Sequence, residues 1–216
     1  MLKWIYRRLL NATSRPGEKG EYSGGYLQDR VRREVLALCR RVKGRILEVG
    51  CGEGLFLAQL TGQDRELEVW GIDKDEARLK DALKRVPLAR LSCQDAAGLS
   101  FEDGHFDAVI CINVLFNMSS MEDVRSAFCQ MRRVCKSGGS IIFDFRNSGN
   151  PLLSIKYRLA KYYDDTVKGL PLKTYSTKEI GHILSSLNME IVDKRYVGFN
   201  SDRFAAVIII EAKKIC

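Results

Sequence analysis

The 216-residue chain has little histidine, no paired-cysteine pattern and no long hydrophobic run. Its longest uninterrupted apolar stretch, Phe204 to Ile210, is seven residues, against the ~20 that a helix needs to cross a bilayer. A membrane-spanning helix is therefore excluded. The opening MLKWIYRRLL mixes apolar and basic residues without a continuous apolar core or a small-residue cleavage pattern, so no secretory signal is expected there and a cytoplasmic location is. The two histidines, His105 and His182, stand apart from each other and from any cysteine cluster, and no metal site is expected. The seven cysteines (39, 51, 93, 111, 129, 135 and 216) are odd in number and form no C-x-x-C pair. They read as reduced, mostly buried small hydrophobes. Internal repeats and low-complexity tracts are also missing.

What is present suits one globular domain over residues 1–216. Hydrophobic residues make up 45%, and a chain of this length buries about 70% of its unfolded surface without needing disulfides or a structural metal. The net charge of +8 comes from 35 Lys and Arg against 27 Asp and Glu, but its distribution is uneven. Residues 1–45 hold 12 basic and 4 acidic side chains, while the remainder balances at 23 of each. Charge of this sign and placement invites an anionic partner, either nucleic acid or a membrane surface.

From about Leu27 to Val42, Val31, Val35, Leu38, Cys39 and Val42 recur at helical spacing with Arg30, Arg33, Glu34, Arg40 and Arg41 opposite, which predicts a basic amphipathic helix. After Gly44, short apolar runs alternate with helical segments: RILEVG, LEVWGID, ARLSCQ, FDAVICIN, SIIFDF, MEIVDKRYV and FAAVIIIEA. Such alternation predicts βαβ units and a mainly parallel sheet covered on both faces. The last two runs are joined by a short turn region with Gly198 and Asn200, so they should pair antiparallel. Ser119 with Glu122, and Ser176 with Glu179, have the spacing of capping boxes.

The most informative residues follow the first strand: Glu48, Val49, Gly50, Cys51, Gly52, Glu53, Gly54. In an open parallel sheet, ligands bind at the carboxyl ends of the strands, near the switch in strand order. Glycines at every second position let the chain turn tightly and admit a ligand close to the backbone. The dinucleotide fingerprint is G-x-G-x-x-G. Here the third glycine comes one residue early, and an acidic residue precedes the first by two.

ILEVGCGEG resembles motif I of the class I S-adenosylmethionine-dependent methyltransferases. Further stations of that family follow in order. VWGID delivers Asp73, 19 residues beyond Gly54, next to Lys74. A carboxylate there can accept from both ribose hydroxyls, each charge-assisted bond being worth about 1.5 to 3 kcal/mol. Gln94, Asp95 and Ala96 match the position that receives the adenine, and RVCKSGGSIIF resembles the turn into strand five, with Ser137 in the proline position. The resemblance spans about Leu27 to Lys213 and implies a Rossmann-like, doubly wound sheet of seven mainly parallel strands with an antiparallel last strand and helices on both faces. It implies S-adenosyl-L-methionine as donor, S-adenosyl-L-homocysteine as product, and donor contacts at Glu48, Gly50, Cys51, Gly52, Gly54, Asp73, Lys74, Asp95, Ala96 and Asn113. The chain then divides into a basic N-terminal segment and helix (1–44), a donor-binding core (45–146), an acceptor lid (147–177) and a final helix with the antiparallel strand pair (178–216). Without the glycine turn, Asp73 would read as a helix cap and Asp95 as an ordinary loop acid. Asp107 reads as structural, and His105, in the turn EDGH, as a solvated loop residue.

Transfer from a methyl sulfonium is an in-line displacement, so the protein has mainly to align the acceptor and exclude water. The family often carries a histidine after strand four, where this chain has Phe116 and Asn117, neither of which is a base near pH 7. The N-P-P-[YF] sequence that accompanies methylation of exocyclic base amines and glutamine amides is also missing. Asn113, Asn117 and Arg146 are the candidates for work at the reacting centre. Arg146 is open to two readings, an anchor for an anionic acceptor or a strand-end salt bridge. The insertion from Asn147 to Thr177 is about thirty residues long and holds Tyr157, Tyr162, Tyr163 and Tyr175, and residues 146–178 carry seven basic and two acidic side chains. An insertion of that length is a candidate lid. Tyr22, Tyr26, Phe116, Asn147 and Tyr157 are the candidate acceptor contacts. The expected acceptor is a small molecule, methylated on an oxygen of an anionic or amphiphilic metabolite such as a lipid, quinone or sugar precursor. RNA methylation and a non-catalytic donor-binding module are the alternatives. Peripheral contact with an anionic membrane through MLKWIYRRLL is a further expectation, and no stable protein partner is deducible.

Overall fold

The computed structural model describes residues 2, 4, 5, 26–62, 67–163 and 170–215. Thirteen elements position the site. In chain order they are α1 (Tyr26–Leu38), β1 (Gly44–Val49), α2 (Leu55–Thr61), β2 (Leu67–Asp73), α3 (Glu76–Arg85), β3 (Arg90–Cys93), β4 (Phe106–Cys111), α4 (Met121–Val134), β5 (Cys135–Arg146), α5 (Pro151–Tyr163), α6 (Thr177–Ser186), β6 (Met189–Gly198) and β7 (Ala205–Lys214). The strands form one sheet in the order β3-β2-β1-β4-β5-β7-β6. Every pairing among β1 to β5 is parallel, and β7 runs antiparallel to both of its neighbours. The order reverses between β1 and β4, which places the switch point beside the glycine turn.

Alternation along the buried strands divides the core between the two faces. Phe143, Phe145, Ile208 and Ile210 pack with Phe128 and Met131 of α4 and Ile180 of α6. Their neighbours Ile142, Val207 and Ile209 point the other way, toward Val31 and Val35 of α1 and Leu57 of α2. Val31 and Val35 of the apolar stripe read from the sequence thus form the buried face of α1, which ends at Leu38 rather than near Val42, with Cys39 buried in the 3-10 turn that follows. No helix among the described residues is long and apolar enough to cross a membrane.

Three local readings need correction. The cap of α4 is Ser120, whose hydroxyl accepts from the Asp123 N–H at 3.1 Å while the Asp123 carboxylate accepts from the Ser120 N–H at 2.9 Å. The box is therefore one residue later than Ser119 with Glu122, because aspartate at the third helical position reaches back as glutamate does. Ser176 with Glu179 caps α6 as expected. β5 begins at Cys135, ahead of SIIFDF: the glycines form an irregularity in the β4 pairing, with Gly138 in the left-handed region. His105 is half-buried, packed edge-on against Trp70 and Phe106 and stacked over Phe101, so it belongs to an aromatic cluster rather than to solvent. Asp107 is structural as expected, accepting from the Arg45 N–H at 2.9 Å and Lys136 Nζ at 2.7 Å.

Candidate active site

The turn after β1 has its glycines where side chains would be strained. Gly50, Gly52 and Gly54 have φ of 77°, 53° and 77°, the left-handed region that residues with a Cβ enter at a cost of ~1–2 kcal/mol. A Cβ on Gly50 would also collide with Cγ2 of Val114. The Gly52 N–H donates to Asp73 Oδ2 at 2.8 Å, and the Asp75 N–H donates to Asp73 Oδ1 at 3.0 Å. Each oxygen of the Asp73 carboxylate is thereby held by one backbone donor and retains further acceptor capacity. Capping of α3 falls to Asp75, which accepts from Ala77 and Arg78. Asp73 is thus not the helix cap.

These residues border a cavity of about 370 Å³ at the carboxyl ends of β1, β2 and β4. Of the expected donor contacts, Glu48, Gly50, Cys51, Gly52, Asp73, Lys74, Asp95, Ala96 and Asn113 line it, and so does Asn117. Gly54 instead serves as N-cap of α2, tight against Ala82 of α3. Asp95 turns one oxygen to the Ala97 N–H at 2.8 Å, and Gln94 holds the same loop through the Ser100 N–H at 2.7 Å.

The walls carry unusual electrostatics. Glu48 is buried, and burial pushes its carboxyl well above 4.5, with the nearby Asp73 adding to the shift and Arg32 opposing it. Its Oε2 has no hydrogen-bond partner among the described residues, and neither does Oδ1 of Asn117. A buried acceptor left unpaired costs about 1 to 3 kcal/mol, so both atoms await a donor. The Cys51 thiol is pushed far upward by burial and by Glu48 and Asp73. It stays protonated and is no nucleophile.

Behind Asn113 lies a second cluster. Arg146, at the end of β5, is 1% exposed. Its guanidinium donates to Asp144 at 2.6 Å, Asn113 Oδ1 at 2.9 Å and the Tyr157 hydroxyl at 3.2 Å. It also lies 4.7 Å from the ring centroid of Phe116. The Asn113 N–H in turn donates to the Asp144 carboxylate, with Asn113 at φ 59°. Of the two readings left open for Arg146, the salt bridge is the one found. Burial pushes the Tyr157 hydroxyl up despite the guanidinium beside it, so Tyr157 remains a neutral phenol. The segment 170–175 closes over the same loop: the Lys173 N–H donates to Phe116 O and the Tyr175 hydroxyl to Leu115 O, both at 2.8 Å.

Asn147 is a correction. Its side chain is buried and donates to the carbonyls of Asp202 and Ala205 while accepting from the Gly149 N–H. Its polar atoms are spent tying β5 to the β6–β7 loop, away from the cavity. Tyr22 and the side chain of Tyr26 lie outside the described residues. Sequence reasoning missed Arg32, Arg78, Ser119 and Asp123, all of which line the cavity. Arg32 had a signal: it borders the apolar stripe of α1, one residue after Val31, and is buried.

Comparison with known proteins agrees with this geometry. The methyltransferase domain family matches residues 47–143, the span that holds the glycine turn, Asp73 and Asn113. The match supports a class I S-adenosylmethionine-dependent methyltransferase. This methyltransferase is 28% identical over 182 residues to phosphatidylethanolamine N-methyltransferase of Cereibacter sphaeroides, covering 81% of this chain and 84% of the relative. It is 35% identical over 119 residues to a ubiquinone/menaquinone biosynthesis C-methyltransferase of Burkholderia mallei, covering 52% of this chain and 47% of that relative. The second match thus spans about half of the relative's length. The fold is that of N-methyltransferase NodS from Bradyrhizobium japonicum, solved with S-adenosyl-L-homocysteine. The TM-score is 0.68 at 16% identity over 99% of this chain and 98% of that one.

Proposed function

We propose that this methyltransferase binds S-adenosylmethionine in the cavity between β1, β2 and β4 and methylates an anionic or amphiphilic small molecule, with the expected oxygen acceptor now joined by nitrogen and carbon, the atoms named for its relatives. One observation carries the donor half of this reading. Two buried acceptors without partners, Glu48 Oε2 and Asn117 Oδ1, border the same cavity as the anchored carboxylate of Asp73, which fits a ligand rich in N–H and O–H groups. When bound, the donor supplies a methyl group on a positively charged sulfur, and its departure leaves a neutral thioether.

The chain's own part is to bind, orient and exclude water. Asp73 is the acceptor for a ribose diol, held in place by Gly52 and Asp75. Lys74, Asp95 and Ala96 border the adenine side, and Glu48 suits an ammonium group. Asn113 and Asn117 lie where donor and acceptor meet. Asn113 is fixed by Asp144 and Arg146, and the segment 170–175 is hydrogen-bonded to the loop that follows it. Among the described residues no histidine lines the cavity, so alignment rather than proton abstraction by an imidazole carries the rate in this reading.

The acceptor half draws on the two curated relatives, one named for a phospholipid amine and the other for quinone biosynthesis. Both names point to amphiphilic molecules, methylated on nitrogen by the one relative and on carbon by the other. The test is incubation with methyl-labelled donor and fractionated cell extract. Label is expected in the lipid fraction or in small amphiphiles, and label confined to RNA or protein would overturn the acceptor class. Calorimetry with S-adenosylhomocysteine tests the donor half separately, and no heat of binding would remove it.

A further inference from the structure

Helix α5 is apolar on two sides. Leu153, Tyr157 and Ala160, spaced four and three apart, turn inward: Leu153 is buried, Tyr157 and Ala160 pack with Phe116 and Leu172, and the Tyr157 hydroxyl meets Arg146. Leu152 and Ile155, three apart on another side, are 54% and 46% exposed. A surface helix normally keeps one apolar stripe for the core and a polar face for water, so α5 carries more apolar surface than its own fold covers.

The loop between β6 and β7 adds to the same region. Phe199 and Phe204 are 63% and 45% exposed. This loop is tied to the start of α5, because Asn150 Nδ2 donates to Phe204 O at 2.6 Å and Asn147 Nδ2 to Asp202 O at 2.7 Å. Direction places both elements on the cavity's edge of the sheet. β6 and β5 each run antiparallel to β7, so the end of β6 at Gly198 and the end of β5 at Arg146 lie together at the carboxyl edge. The charge among these side chains is basic. Arg158 and Arg203 are exposed, and the Arg203 guanidinium lies 5.2 Å from the ring centroid of Phe204. The acidic residue of the loop, Asp202, is engaged by Lys194 at 3.1 Å.

We propose that the outer side of α5 together with residues 199–204 docks on an anionic lipid bilayer, with Leu152, Ile155, Phe199 and Phe204 entering the headgroup region and Arg158 and Arg203 meeting lipid phosphates. Exposed apolar side chains interleaved with arginines, projecting from two neighbouring elements, match a surface that is apolar within and negative at its face. Docking there turns the carboxyl edge, and with it the cavity, toward the lipid. The inference rests on the amphiphilic-acceptor reading for its purpose, whereas the binding itself is independent of any methyl transfer.

Flotation of the full chain with vesicles of phosphatidylcholine, with and without phosphatidylglycerol, tests it. Binding is expected to the anionic vesicles, weakened but not abolished by salt. The double variants Leu152→Glu/Ile155→Glu and Phe199→Ser/Phe204→Ser should each lower that binding roughly tenfold or more, since each removes two apolar side chains from the interface. Their titration with S-adenosylhomocysteine should match the parent chain, which verifies folding and reads the donor site separately. The proposal is overturned if the parent chain ignores anionic vesicles, if both variants float like the parent, or if they abolish only a self-association seen by light scattering.

Discussion

Arg146 and Asn113 are joined across the carboxyl edge of the sheet, Nη2 of the arginine donating to Oδ1 of the asparagine at 2.9 Å. The same guanidinium holds Asp144 and the Tyr157 hydroxyl, so one buried side chain links the cavity wall to α5. Removing one partner from a buried ion pair leaves the other uncompensated, at about 3 to 5 kcal/mol. Arg146→Met should therefore lower unfolding stability by that order in chemical denaturation. Tyr157→Phe removes a single hydrogen bond to a charged group, a loss of about 1.5 to 3 kcal/mol, and should leave the affinity for S-adenosylhomocysteine near that of the parent chain. A Tyr157→Phe protein as unstable as Arg146→Met would show that the phenol does more than accept this bond.

Glu48 predicts a pH dependence of fixed sign. Burial, reinforced by Asp73 and opposed by Arg32, raises its folded-state pKa well above 4.5. A carboxyl raised on folding contributes stability that is fully present below its unfolded value and is lost as pH rises through the folded one. Glu48→Gln cannot ionise, so its stability relative to the parent chain should grow with pH above about 4.5, as read by thermal unfolding. Donor binding should move in the opposite sense. An ammonium group favours ionised Glu48, so the parent chain's affinity for S-adenosylhomocysteine should rise between about pH 5 and 7, below the titration of the ligand's own amine. Calorimetry in buffers of different ionisation heat should show proton release with the parent chain and none with Glu48→Gln. Equal release in both would place the proton elsewhere.

The cavity wall built on the glycine turn was legible in the sequence because its information is local. Glycine spacing, the acid two residues ahead and an aspartate at the end of the next strand are set by short stretches of chain, and Gly50, Gly52, Asp73 and Asn113 do line one cavity. The Arg146 cluster was not legible as a unit. Its members come from the loop after β4, the end of β5 and α5, and only folding brings them together, so Arg146 kept two readings and Asn147 received a role that its buried bonds exclude. Arg32 was missed for a related reason. It sits at the border of an apolar stripe, and whether a border residue faces solvent or a cavity depends on what packs beside it.

Gly50 offers a test with two separable costs. Gly50→Ala must hold a Cβ at φ 77°, at ~1–2 kcal/mol, and must also displace the Val114 side chain, overpacking that costs ~1–3 kcal/mol. The single variant should lose stability by about the sum, or lose donor binding where the loop shifts instead. Gly50→Ala/Val114→Ala relieves only the collision, so it should recover part of the stability and leave the backbone cost in place. No recovery in the double variant would mean that the dihedral carries the whole effect.

Ser119 and Ser120 are adjacent and chemically identical, yet the structure gives them different work. Ser120 accepts from the Asp123 N–H and donates its own N–H to the Asp123 carboxylate, closing the first turn of α4. Ser119 lies on the cavity rim. Loss of a serine cap costs about 0.5–2 kcal/mol, so Ser120→Ala should be destabilised by that amount in denaturant titration. Ser119→Ala should unfold with the parent chain, because no bond of the cap depends on it. Asp123→Ala removes the reciprocal half of the box and should fall near Ser120→Ala, with the pair less than additive since both report one turn. If Ser119→Ala were the more destabilised serine variant, the helix would begin one residue earlier, at the position that the Ser119 and Glu122 spacing suggests.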